Sequence, residues 1–118
     1  MPSSGEPPRE PTPDIRCIPK HAGRPIALCT TGSGSGWWIR WIGRDGYVVY
    51  GPYVPNAGTL AGQPDRVLVD AVSPTTDRRV IISWHARQRR LEISTRYADG
   101  KPYRFLIYPD GRIEFLEW

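Results

Sequence analysis

His85, Arg87, Arg89, Arg90, Tyr108 and Arg112 are the residues whose types come nearest to a chemical site in this chain. Two guanidinium groups, an imidazole and a phenol on one sheet edge can hold a phosphate or a carboxylate. Arg87 and Arg89, in the turn beside them, extend that edge into a basic patch with an aromatic inside it. Such a patch suits single-stranded nucleic acid, through phosphate contacts and base stacking. The plainer alternative is a solvated face whose arginines pair with Glu92 and Glu114 on the adjacent row.

A catalytic reading is weaker. Ser83, His85 and Glu92 supply a nucleophile, a base and a carboxylate. Ser83 and His85 are two apart on a strand, however, which places them ~7 Å apart by strand rise and too far for direct proton transfer. Glu92 and Glu114 share a row, but no cleft for an acid pair is visible. An enclosed pocket inside a closed barrel is what would keep a ligand-binding or enzymatic role open.

A second surface has interface chemistry. Trp38, Arg40, Ile42, Val48 and Tyr50 fall on one face of the hairpin 36–53, with Trp37, Ile39 and Trp41 on the other. Trp, Tyr and Arg are the residue types that anchor protein interfaces, which marks Trp38, Arg40 and Tyr50 as candidate partner contacts. The alternative is that this face packs under the N-terminal strands or under the loop 52–64.

Cys17 and Cys29 fall opposite each other if 15–18 and 25–31 pair around a loop at 22–24, which is close enough for a disulfide. The sequence favours two reduced thiols, because a reducing cytosol keeps them so. Two cysteines and two scattered histidines show no ligand spacing, so no metal is expected. The glycine-rich stretch 30–36 lacks the Lys-Ser/Thr ending and following helix of a phosphate loop and reads as a connector. No cofactor is expected.

The elements that position these groups are short strands. Thirteen prolines and 12 glycines among 118 residues favour frequent turns over long helices. In GWWIRWIGRDGYVVYGPY, period-two alternation on both faces predicts a central hairpin, closed at Arg44-Asp45-Gly46 by a type I turn with a left-handed glycine. That loop sets Ile42 opposite Val48 and Trp41 opposite Val49. A further strand is expected over 66–72.

The last 40 residues give four strands, over 80–85, 90–97, 102–108 and 112–118. Pro109 suits the second position of a type I turn, with Asp110 next and Gly111 in the left-handed bulge. The resulting register places Ile107 opposite Ile113, and Phe105 opposite both Ile93 and Phe115. It collects Val80, Ile82, Trp84, Leu91, Ile93, Thr95, Tyr103, Phe105, Ile107, Ile113 and Phe115 on one uncharged face. The opposite face is then a mixed-charge surface, with Arg104 set against Leu116 rather than Glu117.

The expected architecture is all-β, an antiparallel meander of about eight or nine strands forming a small barrel or a two-layer sandwich. Residues 1–14 read as a proline-rich tail, with a PxxP at Pro8 and Pro11, and 15–118 as one domain. Fourteen of the 16 basic residues are arginine, which suits bidentate contacts and equally reflects a GC-rich gene. No apolar run reaches the ~20 residues of a membrane helix, and the N-terminus lacks the apolar centre of a secretion signal. Both point to a cytoplasmic protein off the membrane. With no catalytic motif, the leading expectation is a non-catalytic binding or regulatory module for a protein partner. Nucleic-acid binding comes second and a ligand-binding barrel or barrel enzyme third.

Overall fold

The computed structural model describes residues 16–20, 24–30, 36–73, 76–97, 100 and 102–117. The proline-rich tail, the loop at 21–23, the connector at 31–35 and the Ala98-Asp99 turn lie outside them. The chain divides into two compact units between Pro55 and Asn56. Each carries one antiparallel sheet whose strands are neighbours in chain order.

The first sheet contains β1 (Arg16–Ile18), β2 (Ile26–Thr30), β3 (Gly36–Ile42) and β4 (Val48–Pro55). Its β3–β4 hairpin has the expected register, Ile42 opposite Val48 and Trp41 opposite Val49. The turn closes through Gly46 N–H donating to Gly43 O, while Asp45 Oδ1 accepts from Tyr47 N–H. Gly46 sits at φ +83°, a left-handed position that a side chain would strain. Ile26, Leu28, Ile39, Trp41 and Val54 form the buried side of this sheet, each no more than 4% exposed.

β4 runs two residues beyond the strand expected from sequence. A bulge makes this possible. Trp38 pairs with Tyr53 and Arg40 with Tyr50, so Gly51 and Pro52 together oppose Ile39. Proline has no N–H to give a ladder, and a bulge is where a sheet tolerates it. The indole N–H of Trp41 donates to Gly51 O there. The segment expected to be a long loop is correspondingly shorter and holds one helical turn, α1 (Ala57–Leu60).

The second sheet contains β5 (Arg66–Val72), β6 (Arg79–His85), β7 (Arg90–Arg96), β8 (Arg104–Ile107) and β9 (Ile113–Glu117). Trp84 faces Leu91, Ile82 faces Ile93, Ile93 faces Phe105, Phe105 faces Phe115 and Ile107 faces Ile113, all as expected. Alternation explains this. The uncharged face buries Val80, Ile82, Trp84, Leu91, Ile93, Thr95, Tyr103, Phe105 and Ile107 almost completely. Trp84 also satisfies its indole N–H, which donates to Gln63 O at 3.0 Å. Thr95 is buried without penalty because its hydroxyl donates to Tyr103 O and accepts from Tyr103 N–H, both at 3.1 Å.

Three expectations need correction. Among the described residues neither sheet closes into a barrel: the first ends on β1 and β4, and the second on β5 and β9. Arg104 pairs with Glu117, not Leu116, because a bulge between Arg104 and Phe105 shifts the register by one residue; the two charges lie 3.5 Å apart. Leu106, assigned to an exposed face, is only 2% exposed. Glu92 and Glu114 flank it in register.

Candidate functional site

The first sheet's second face is built by register. Cys17 opposes Cys29, Cys29 opposes Trp38, Ala27 opposes Arg40, and Arg40 opposes Tyr50. Trp38, Arg40 and Tyr50 therefore share one face, as the hairpin pattern implied. The structure adds Tyr53, whose ring meets Trp38 edge-on with centroids 5.1 Å apart. Trp38, Arg40, Tyr50 and Tyr53 are all half-buried.

Arg40 is the unusual member. Its Nη1 lies 3.6 Å from Cys17 Sγ, while Nε and Nη2 are buried without an acceptor among the described residues. The Tyr50 hydroxyl is likewise buried without a partner among the described residues. Burial pushes the Tyr50 phenol above its ordinary pKa, and the positive charge of Arg40 pulls it partly back. Donors left this way cost about 1–3 kcal/mol each, more when charged. The described residues of this unit include Arg16, Lys20, Arg24, Arg40 and Arg44 but only one carboxylate, Asp45, which is occupied in the β3–β4 turn.

Cys17 and Cys29 are joined by a disulfide, which corrects the expectation of free thiols. The opposed positions were legible in the sequence, whereas the bond was set aside on the assumed compartment. Cys29 is fully buried and Cys17 half-buried on the edge strand β1.

The basic edge also assembles. His85 pairs with Arg90 across β6–β7, and Tyr108 and Arg112 flank the β8–β9 turn, where Tyr108 N–H donates to Arg112 O. Gly111, at φ +88°, supplies the left-handed position expected in this turn. In the four-residue β6–β7 turn Arg89 itself takes φ +55°. Arg87 and Arg89 are exposed there.

The edge is, however, internally committed. Arg90 Nε and Nη2 both lie 3.1 Å from Glu92 Oε2, and Arg90 Nη1 donates to the Tyr108 hydroxyl at 3.3 Å. Those hydrogen bonds, to Tyr108 first and then to Glu92, hold the Arg90 pKa above its usual value. Tyr108 donates in turn to Glu114 Oε1 at 3.2 Å, and the Arg112 guanidinium covers its ring at 4.0 Å. His85 Nε2 lies 3.5 Å from Glu92 Oε1. The ring a base would stack on is capped on one face, and two carboxylates offset the cations.

Ser83, His85 and Glu92 line a depression of about 90 Å³ on the same sheet face. Small-molecule sites run to about 300–1,000 Å³, so this hollow takes a few waters and not a substrate. Glu92 is shared between Arg90 and His85, and no hydrogen bond joins Ser83 to His85.

Among the described residues, no helix is long and apolar enough to cross a membrane. No protein-family model matches the chain, and no significant match is found among curated proteins or solved structures.

Proposed function

We propose that this protein is a non-catalytic binding module whose β3–β4 face recognises an acidic segment of a protein partner. One observation carries the reading: Arg40 holds two buried guanidinium nitrogens without acceptors among the described residues, beside Trp38, Tyr50 and Tyr53. A carboxylate from the partner supplies the missing acceptor, and the aromatic rings supply contact area at low entropic cost. Among the described residues of this unit, five cations against one carboxylate give the complementary field.

The nucleic-acid reading of the basic edge has less support, because its central cation and its aromatic are already bonded within the sheet. Arg87 and Arg89 are what remain for it.

A displayed-peptide selection on the whole chain tests the proposal. Enriched peptides should share an Asp or Glu. Arg40→Gln should then weaken a selected peptide by about 1.5–3 kcal/mol, the usual worth of a hydrogen bond to a charged group. Trp38→Ala should cost about 2 kcal/mol or more if the indole is an anchor. Arg87→Gln should leave binding unchanged. Peptides without acidic residues, or equal affinity for Arg40→Gln, would sink the idea.

A further inference from the structure

Arg40 has a second neighbour whose chemistry it can alter, independent of what the face binds. Its Nη1 lies 3.6 Å from Cys17 Sγ, in the disulfide to Cys29. A disulfide sulfur is a poor acceptor, so the guanidinium gains little from this contact while the bond is intact. A thiolate at the same position is an anion beside a cation that has no carboxylate among the described residues. Among the described residues of the strands packed here, Arg40 on β3 and Tyr50 and Tyr53 on β4 are the titratable groups on this face, and Asp45 is away in the turn. The two sulfurs also differ in access, since Cys29 is fully buried and Cys17 sits half-exposed on a three-residue edge strand.

We infer that Cys17 and Cys29 form a redox-active pair exchanging with low-molecular-weight thiols, in which Cys17 is the reacting sulfur, Cys29 the resolving one and Arg40 the counter-charge of the Cys17 thiolate. In reduction, an external thiolate attacks Cys17 Sγ, the Cys17–Cys29 bond breaks, and Cys29 leaves as a thiolate that takes up a proton. A second external thiolate attacks the outer sulfur of the mixed disulfide. Cys17 leaves as a thiolate beside Arg40, and the external thiols depart as their disulfide, carrying the two electrons' worth of oxidation. Oxidation by a small disulfide runs these steps backwards, starting from Cys17. A cation beside a thiol raises its thiolate fraction and improves it as a leaving group. Proteins of reducing compartments that do carry disulfides use them mostly in this transient way.

The test uses the whole chain without a partner. The oxidised protein is mixed with reduced glutathione, quenched with acid, and its mixed disulfides are located by peptide mass spectrometry. Glutathione should be found on Cys17. Separately, the reduced protein is alkylated with iodoacetamide at neutral and at alkaline pH. Cys17 should react roughly tenfold faster in the wild type than in Arg40→Gln at neutral pH, with the two rates converging at alkaline pH. Arg40→Lys, which keeps the charge, should recover much of the difference. Glutathione on Cys29, no mixed disulfide at all, or Cys17 rates equal in wild type and Arg40→Gln would overturn the inference. Because no partner is present, these outcomes are independent of whether the β3–β4 face binds an acidic segment.

Discussion

Phe105→Ala is expected to remove about 3–5 kcal/mol of stability, the range for truncating a large buried aromatic. Phe105 is 1% exposed, stacks on Tyr103 at 6.0 Å, meets Phe115 at 5.6 Å and faces Ile93 across β7–β8. Ile93 and Phe115 belong to β7 and β9, which ladder hydrogen bonds fix on either side of β8, and Tyr103 directly precedes β8, so the void cannot easily collapse. Against a total of about 5–15 kcal/mol, this is a large fraction. Thermal unfolding followed by near-ultraviolet circular dichroism should show Tm lower by roughly 15 °C or more, given about 4–8 °C per kcal/mol in a unit of this size. A loss below about 1 kcal/mol would mean that Phe105 is not central to the second sheet's core.

Trp41→Ala should have a comparable effect on the first sheet, again about 3–5 kcal/mol. Trp41 is 4% exposed, lies between Ile26 and Val49 in register, and donates its indole N–H to Gly51 O at the bulge. Trp41→Phe separates the two contributions. It keeps most of the apolar volume but leaves the Gly51 carbonyl without its donor, at about 1–3 kcal/mol. Chemical denaturation of both variants checks this. If Trp41→Phe matched Trp41→Ala, the hydrogen bond and not the packing would dominate.

The legible parts of this fold were those where one physical rule acted alone. From Val80 to Phe115, period-two polarity and short loops left one register with no charge on the buried face, and Pro109-Asp110-Gly111 fixed the last turn. The same reasoning failed where two rules competed. Rejecting Glu117 as the partner of Arg104 assumed a uniform ladder, yet one bulge satisfies that charge pair while keeping Phe105 on Phe115. Proline, asparagine and glycine punctuation over 52–64 reads as a loop; opposite Ile39, Gly51-Pro52 is absorbed in a bulge and β4 continues to Pro55.

The candidate sites divide along the same line. Trp38, Arg40 and Tyr50 could be placed on one face from β3–β4 alone. The arrival of Cys17 beside Arg40 depends on β2 pairing with β3 across the connector at 31–35, whose length and glycine content set no register. Tyr108 was legible as a neighbour of Arg90. That its ring is capped by Arg112 and its hydroxyl held by Glu114 depends on rotamers, which period and spacing do not encode.

Recognition through the β3–β4 face, and not through the basic edge, is tested most directly by titrating the protein into a labelled single-stranded oligonucleotide at two salt concentrations fourfold apart. Each phosphate contact would steepen the log-log salt slope by about 0.7, so three contacts would weaken binding roughly twentyfold over that interval. The account predicts no micromolar complex and no steep slope, in wild type or in Arg87→Gln, because Arg90, Tyr108 and Arg112 are engaged within the sheet. Micromolar binding with a steep slope that flattens in Arg87→Gln would contradict it and move the site to the second sheet.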